Sequence, residues 1–223
     1  MLALFISLQS YSQEFIYRRG LATLSIGTGV PGYDFGKQSG IYLSSYAKLG
    51  TSITGEVSYF YNWNVGINFM ITYNVNPVDE GKLAAGYMLE SPAFHTVNAK
   101  SEAFRDIAGL GGMVFDVPIN DYFSVTFKTM MGLRNIYKPT ASIETTTVFS
   151  EVNYYETHDN KLVFAFLFAT GARVYVNDLF NVHLNFSYMG STMNFEYLRN
   201  NKEISQEVHI GVLSIQAGVS YAL

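Results

Sequence analysis

Val65-Gly66-Ile67-Asn68-Phe69-Met70-Ile71-Thr72-Tyr73-Asn74-Val75 alternates with a period of two, Met70 alone placing a large apolar side chain on the second face. Val65, Ile67, Phe69, Ile71, Tyr73 and Val75 share one side; Gly66, Asn68, Met70, Thr72 and Asn74 share the other. Neighbouring side chains of an extended strand point to opposite faces, so this period of two marks a strand, where a helix would need a period of about 3.6. One face is aliphatic and aromatic, the other mostly small or amide-bearing. Just upstream, Asn62-Trp63-Asn64 supplies a short turn, because Asn bonds its own backbone and tolerates turn geometry.

The same pattern recurs outward from this segment. Before it, Ala22, Leu24, Ile26 and Val30 oppose Thr23, Ser25, Gly27 and Gly29, and Ile53, Val57, Tyr59 and Tyr61 oppose Thr54, Glu56, Ser58 and Asn62. After it comes a weaker strand, Ile107 to Val117, whose facing the pattern does not fix. Phe123, Val125, Phe127, Met131 and Leu133 then oppose Ser124, Thr126, Lys128, Met130, Gly132 and Arg134. Phe164, Phe166, Phe168, Ala172, Val174 and Val176 oppose Ala165, Ala169, Gly171, Arg173 and Tyr175. Val182, Leu184, Phe186 and Tyr188 oppose Asn181, His183, Asn185 and Ser187; Leu213, Ile215, Ala217, Val219 and Tyr221 oppose Ser214, Gln216, Gly218 and Ser220. The total is eight segments, each able to reach the roughly 9–11 residues of a tilted membrane-crossing strand.

Composition agrees. The 223 residues are 48% hydrophobic but only 14% charged, against about 25% charged in soluble domains. No run of about 18 apolar residues offers a spanning helix. A closed barrel is the other fold that satisfies its backbone inside hydrocarbon. The connections after the second, fourth and sixth segments are tight Asn/Asp/Pro turns, while the others are longer and more charged, as in barrels with short periplasmic turns and long outer loops. Tyr and Trp near the segment ends (Tyr61, Trp63, Tyr122 and Tyr175; Tyr42, Tyr73, Tyr137, Tyr188 and Tyr197) fit interfacial girdles. A soluble ligand-binding barrel would put its apolar face inside and its charges outside. These features predict an all-β, eight-stranded antiparallel up-and-down transmembrane barrel. Residues 1–12 read as a signal peptide truncated at its front, with cleavage before Gln13, and residues 13–223 as the barrel.

The last strand carries a further mark. Gln216, Gly218, Tyr221 and Leu223 resemble the terminal signal through which the barrel-assembly machinery recognises its clients, although Leu223 stands where an aromatic is commoner. With the eight segments, Leu21 to Leu223 resembles the OmpA/OmpX type of small outer-membrane barrel. That resemblance implies residence in the bacterial outer membrane, among its lipid, with both termini in the periplasm and no assured activity.

Candidate chemistry is sparse. Net charge is −4, with no basic block for nucleic acid, and there is no cysteine. His95, His158, His183 and His209 are scattered, without metal-ligand spacing. No cofactor and no catalytic set is expected. By parity Glu56, Lys128, Arg134 and Arg173 face the lumen. They either pair into a network that plugs the barrel, Glu56 with Lys128 or Arg173, or ring a pore. An interior that eight strands leave only wide enough for side chains favours the plug. The expected role is structural or surface interaction through the outer loops, the alternatives being a narrow small-solute channel and a lipid-modifying enzyme. Between Asn135 and Asn160 the alternation continues: Ala141, Ile143, Thr145, Thr147 and Phe149 oppose Ser142, Glu144, Thr146, Val148 and Ser150. The fifth and sixth strands are expected to extend there as a protruding hairpin, a site where a partner protein could add a strand. Deleting Thr140 to Glu156 should then leave folding intact.

The purified protein should show β-rich circular dichroism and a gel mobility that changes on heating; a substantial helical signal would contradict the fold.

Overall fold

The computed structural model describes residues 19–36, 46–62, 64–90, 96–146, 151–156, 159–199 and 202–223. The expected signal peptide, Tyr42, Trp63, His95, His158, and Thr147 to Ser150 lie outside them. The chain forms β1 (Gly20–Tyr33), β2 (Gly50–Phe60), β3 (Val65–Asn76), α1 (Glu80–Glu90), β4 (Thr96–Ser101), β5 (Phe104–Asn120), β6 (Phe123–Lys138), β7 (Ala141–Thr146), β8 (Glu151–Glu156), β9 (Asp159–Tyr175), β10 (Phe180–Arg199) and β11 (Lys202–Ala222). Eight of these strands close a barrel in the order β1-β2-β3-β5-β6-β9-β10-β11, every pair antiparallel. The remaining three make a separate sheet, β4-β7-β8.

Three tight turns define one end. In each, an Asn side chain holds the turn. Asn62 Oδ1 accepts from the Val65 amide at 2.8 Å, Asn120 Oδ1 from Tyr122 at 2.9 Å, and Asn177 Oδ1 from both Leu179 and Phe180 at 2.9 Å. Such a bond replaces a backbone turn contact and fixes where the strand reverses. Register follows from there: Leu24 lies opposite Gly55 and Val219, Phe127 opposite Phe115 and Thr170.

Facing follows parity on every barrel strand. Outside are Leu24, Phe69, Ile71, Met131, Phe164 and Val182, with Phe69 and Met131 each 64% exposed. That inversion of a soluble protein is the surface hydrocarbon requires. Within this belt, Gly55 and Gly109 border an open apolar groove of about 1030 Å³. The strand whose facing the sequence left open is now fixed. Ile107, Gly109 and Met113 face out; Asp106, Ala108, Leu110, Val114 and Asp116 face in. Gly109, Gly111 and Gly112 had removed the contrast between its two faces.

The lumen is layered rather than uniformly polar. Leu21, Phe60, Val114 and Ala222 pack together near the turn end. Midway, Met70, Leu110, Met130, Leu167 and Met189 form an apolar layer. At the loop end Phe35, Tyr46, Leu83, Phe104, Ile136, Ala141, Met193 and Ile210 pack as a cap, drawing on all four long connections or the strand ends beside them.

Two expectations about those connections change. The hairpin at 141–156 exists, but it does not prolong β6 and β9. Their pairing ends at Lys138 with Asp159, beside Pro139, which has no amide to donate. The hairpin joins β4 instead, which occupies one edge of β7. Ala141 and Ile143 are buried, so deleting Thr140 to Glu156 would remove buried apolar residues as well as a loop tip. The connection expected after the seventh barrel strand is also different: β10 and β11 stay paired as far as Arg199 with Lys202.

Phe69→Arg, in the middle of β3, should destabilise the barrel by about 2–4 kcal/mol, and Ile119→Arg, at the turn end, by about 0–1 kcal/mol. Urea unfolding in lipid measures both; equal costs would contradict a depth-dependent hydrocarbon belt.

Candidate functional site

The lumen gathers most of the buried polar side chains. Glu56 on β2 and Lys128 on β6 form a buried ion pair that crosses the interior, and the Asn68 amide donates to the same Glu56 Oε2 at 2.8 Å. Arg173 on β9 binds Asp116 on β5, its Nη1 donating to Oδ2 at 2.6 Å. The Tyr175 hydroxyl also reaches Asp116 Oδ2, at 3.4 Å, and lies 3.2 Å from the Ser124 hydroxyl. Arg134, fully buried on β6, donates through Nη2 to Asp106 Oδ2 on β5 at 2.7 Å. Its Nη1 donates to Ser191 at 3.1 Å and to the Ile210 carbonyl at 3.3 Å, while the Asn74 amide donates to Asp106 Oδ1 at 2.9 Å.

All four lumen charges found by parity are therefore buried, but they do not form one cluster. Arg173 is held by Asp116 and not by Glu56; Arg134 is held by Asp106. Both aspartates stand on the strand whose facing the sequence left open. Their even numbers, ten residues apart, are the signal that could have found them, since period two puts 106 and 116 on one face. The apolar layer separates the upper pair from the lower two. On β6, Met130 stands between Lys128 and Arg134; on β3, Met70 stands between Asn68 and Asn74.

A neutral network occupies the rest of the lumen. His183 lies 2.8 Å from the Ser25 hydroxyl and 3.2 Å from that of Ser220. The Gln216 amide donates to the hydroxyls of Ser52 and Thr54, each at 2.8 Å. A Cβ at Gly218 would come within 2.7 Å of His183 Nε2 and 2.2 Å of the Leu24 carbonyl oxygen. Only glycine admits so close an approach. Tyr221 faces outward with its ring 5.3 Å from that of Phe180, and the Leu223 amide donates to the Gly20 carbonyl at 2.9 Å. The four residues of the terminal motif thus each have a place in the finished barrel. Outside the lumen, His209 Nδ1 lies 2.9 Å from the Thr192 hydroxyl on the exposed face of β10 and β11, a pairing the sequence did not suggest. Among the described residues no acid–histidine cluster could hold a metal ion.

No family model and no curated protein matches the chain. Solved structures do. Ail, the attachment invasion locus protein of Yersinia pestis, is 14% identical over 91% of this chain and 99% of its own, with a TM-score of 0.41. Neisserial surface protein A is 10% identical over 92% and 97%, with a TM-score of 0.48. The outer membrane protease OmpT of Escherichia coli is 10% identical over 96% and 99%, with a TM-score of 0.37.

Glu56→Gln should cost about 3–5 kcal/mol, because it strands the Lys128 charge, and Glu56→Gln with Lys128→Met should recover much of it. Arg173→Met should be relieved by Asp116→Asn and not by Glu56→Gln. Unfolding midpoints of the single and double variants decide; relief of Arg173→Met by Glu56→Gln would contradict the pairing.

Proposed function

We propose that this protein is an integral outer-membrane barrel that does not conduct, and that it acts through the surface at its loop end. The observation that carries the reading is the filled lumen. Ion pairs, an apolar layer and a packed cap succeed one another along the axis, and an enclosed space bordering Glu56 and Lys128 is about 10 Å³, room for roughly a single water. A conducting lumen would need a continuous wet path lined by polar groups.

Among the described residues the loop end carries a folded core. Its core joins Leu83 of α1, Phe104 and Ile136 of β5 and β6, and Ala141 of β7. On this base sits the β4-β7-β8 sheet. Among the described residues β8 pairs only with β7, so it offers the edge to which a protein partner could add a strand. Anchoring in the lipid belt and presentation of this sheet together make a structural or interaction role the best-supported one, with the barrel-assembly machinery as the partner that reads Gln216, Gly218, Tyr221 and Leu223.

In planar bilayers the protein should give no stepwise current under salt gradients; a stable open level would overturn the closed-lumen reading and favour a narrow channel. Replacing residues 151–156 by a Gly-Ser linker leaves the buried Ala141 and Ile143 in place. It should abolish cell-surface cross-links that the intact barrel makes; retained cross-links would remove β8 as the contact.

A further inference from the structure

Seven of the eight neighbouring pairs in the barrel are consecutive barrel strands; β1 with β11 is the pair formed by the first and the last. Thr23 and Ser220 meet there from 197 positions apart. The entropy lost on closing a loop grows with its length, so this pairing is the hardest to close. The lumen wall is also divided by charge. The ion pairs stand on β2, β5, β6 and β9. The inward residues of β1 (Leu21, Thr23, Ser25, Gly27, Gly29) and those of β11 below the cap (Ser214, Gln216, Gly218, Ser220, Ala222) carry no charge.

Neutral bonds cross the seam instead. The Thr23 hydroxyl donates to Ser220 at 2.9 Å. His183 reaches from β10 past β11 to Ser25 on β1 at 2.8 Å. Gln216 reaches from β11 past β1 to Ser52 and Thr54 on β2, at 2.8 Å each. Pulling apart a buried ion pair leaves two unpaired charges, which costs far more than leaving these neutral hydroxyl and amide groups unpaired. We propose that the β1–β11 seam is the line along which this barrel opens and closes, and that Gln216 is its principal latch. The ionic wall stays intact while the seam parts, and the side chain that spans β11, β1 and β2 sets how readily it does.

The unfolding rate tests this, because it responds to a link only where the linked strands have already separated in the transition state. The chain has no cysteine, so engineered pairs are its only thiols. Ile26→Cys with Ala217→Cys links the outer face of the seam, and Phe127→Cys with Thr170→Cys links β6 to β9 in the ionic wall. Unfolding in urea of protein refolded into lipid, followed by loss of the compact gel band, should slow on the order of tenfold with the seam disulfide and little with the other. Gln216→Ala should speed unfolding on the order of tenfold, and the seam disulfide should erase that acceleration. If Gln216→Ala does not refold, Ser52→Ala with Thr54→Val removes the same bonds. Equal slowing by both disulfides, greater slowing by the β6–β9 disulfide, or an acceleration that persists in the seam-linked protein would overturn the proposal.

Discussion

Eight tilted strands close around an interior that side chains alone can fill. Inward polar groups must then find partners on other strands of the same small barrel, and most of the lumen side chains do, though Asp116 Oδ1 and the Nε atoms of Arg134 and Arg173 remain without one. Glu56, Asp106 and Asp116 each take one cation. Asn74 bonds the second oxygen of Asp106, and Asn68 adds a donor to the Glu56 oxygen that already binds Lys128. Gly218 and Gly171 lack a side chain, so that His183 and Asn185 can lie across the neighbouring strands β11 and β9. Remove one member and a charge or amide is left buried without compensation, which costs more than the bond contributed.

The same closure turns the chemistry of a soluble protein inside out across the belt and restores it at the loop end. Phe69 and Met131 meet hydrocarbon while Arg134 is wholly enclosed. Above them Phe35, Leu83, Phe104 and Ile210 form an ordinary hydrophobic core. A barrel built this way has two surfaces that can do work, a belt for lipid and a folded cap. Its axis is taken up by packing, and at the cap the β4-β7-β8 sheet departs from the barrel's own strand order.

Much of this was legible because a period of two is a strong local signal. The outward residues of β3, β6, β9, β10 and β11 were read from sequence as they stand in the structure, as were Glu56, Lys128, Arg134 and Arg173 on the inward side. What parity could not supply is which strands meet across the lumen. Lys128 and Arg173 share a face in the sequence, yet strand order and tilt bring Glu56 to the first and Asp116 to the second. Asp106 and Asp116 were missed because three glycines flattened the pattern of β5. Strand β7 was visible as alternation, but its pairing with β4, some 45 residues upstream, is a long-range choice that no local pattern encodes. The continued pairing of β10 and β11 was hidden for a different reason: polar residues such as Asn194 and Glu207 lie on their outward face beyond the belt, where alternation no longer contrasts apolar with polar.

The central claim is that the lumen is closed by specific cross-strand partners. Solid-state NMR on labelled protein in bilayers addresses it most directly, through nitrogen–carbon contacts between side chains. The account predicts contacts from Lys128 Nζ to the Glu56 carboxyl, from Arg134 to Asp106 and from Arg173 to Asp116, all unchanged by added salt. Contacts that vanish in salt, or side-chain protons on these three cations that exchange with water as fast as those of exposed residues, would contradict it.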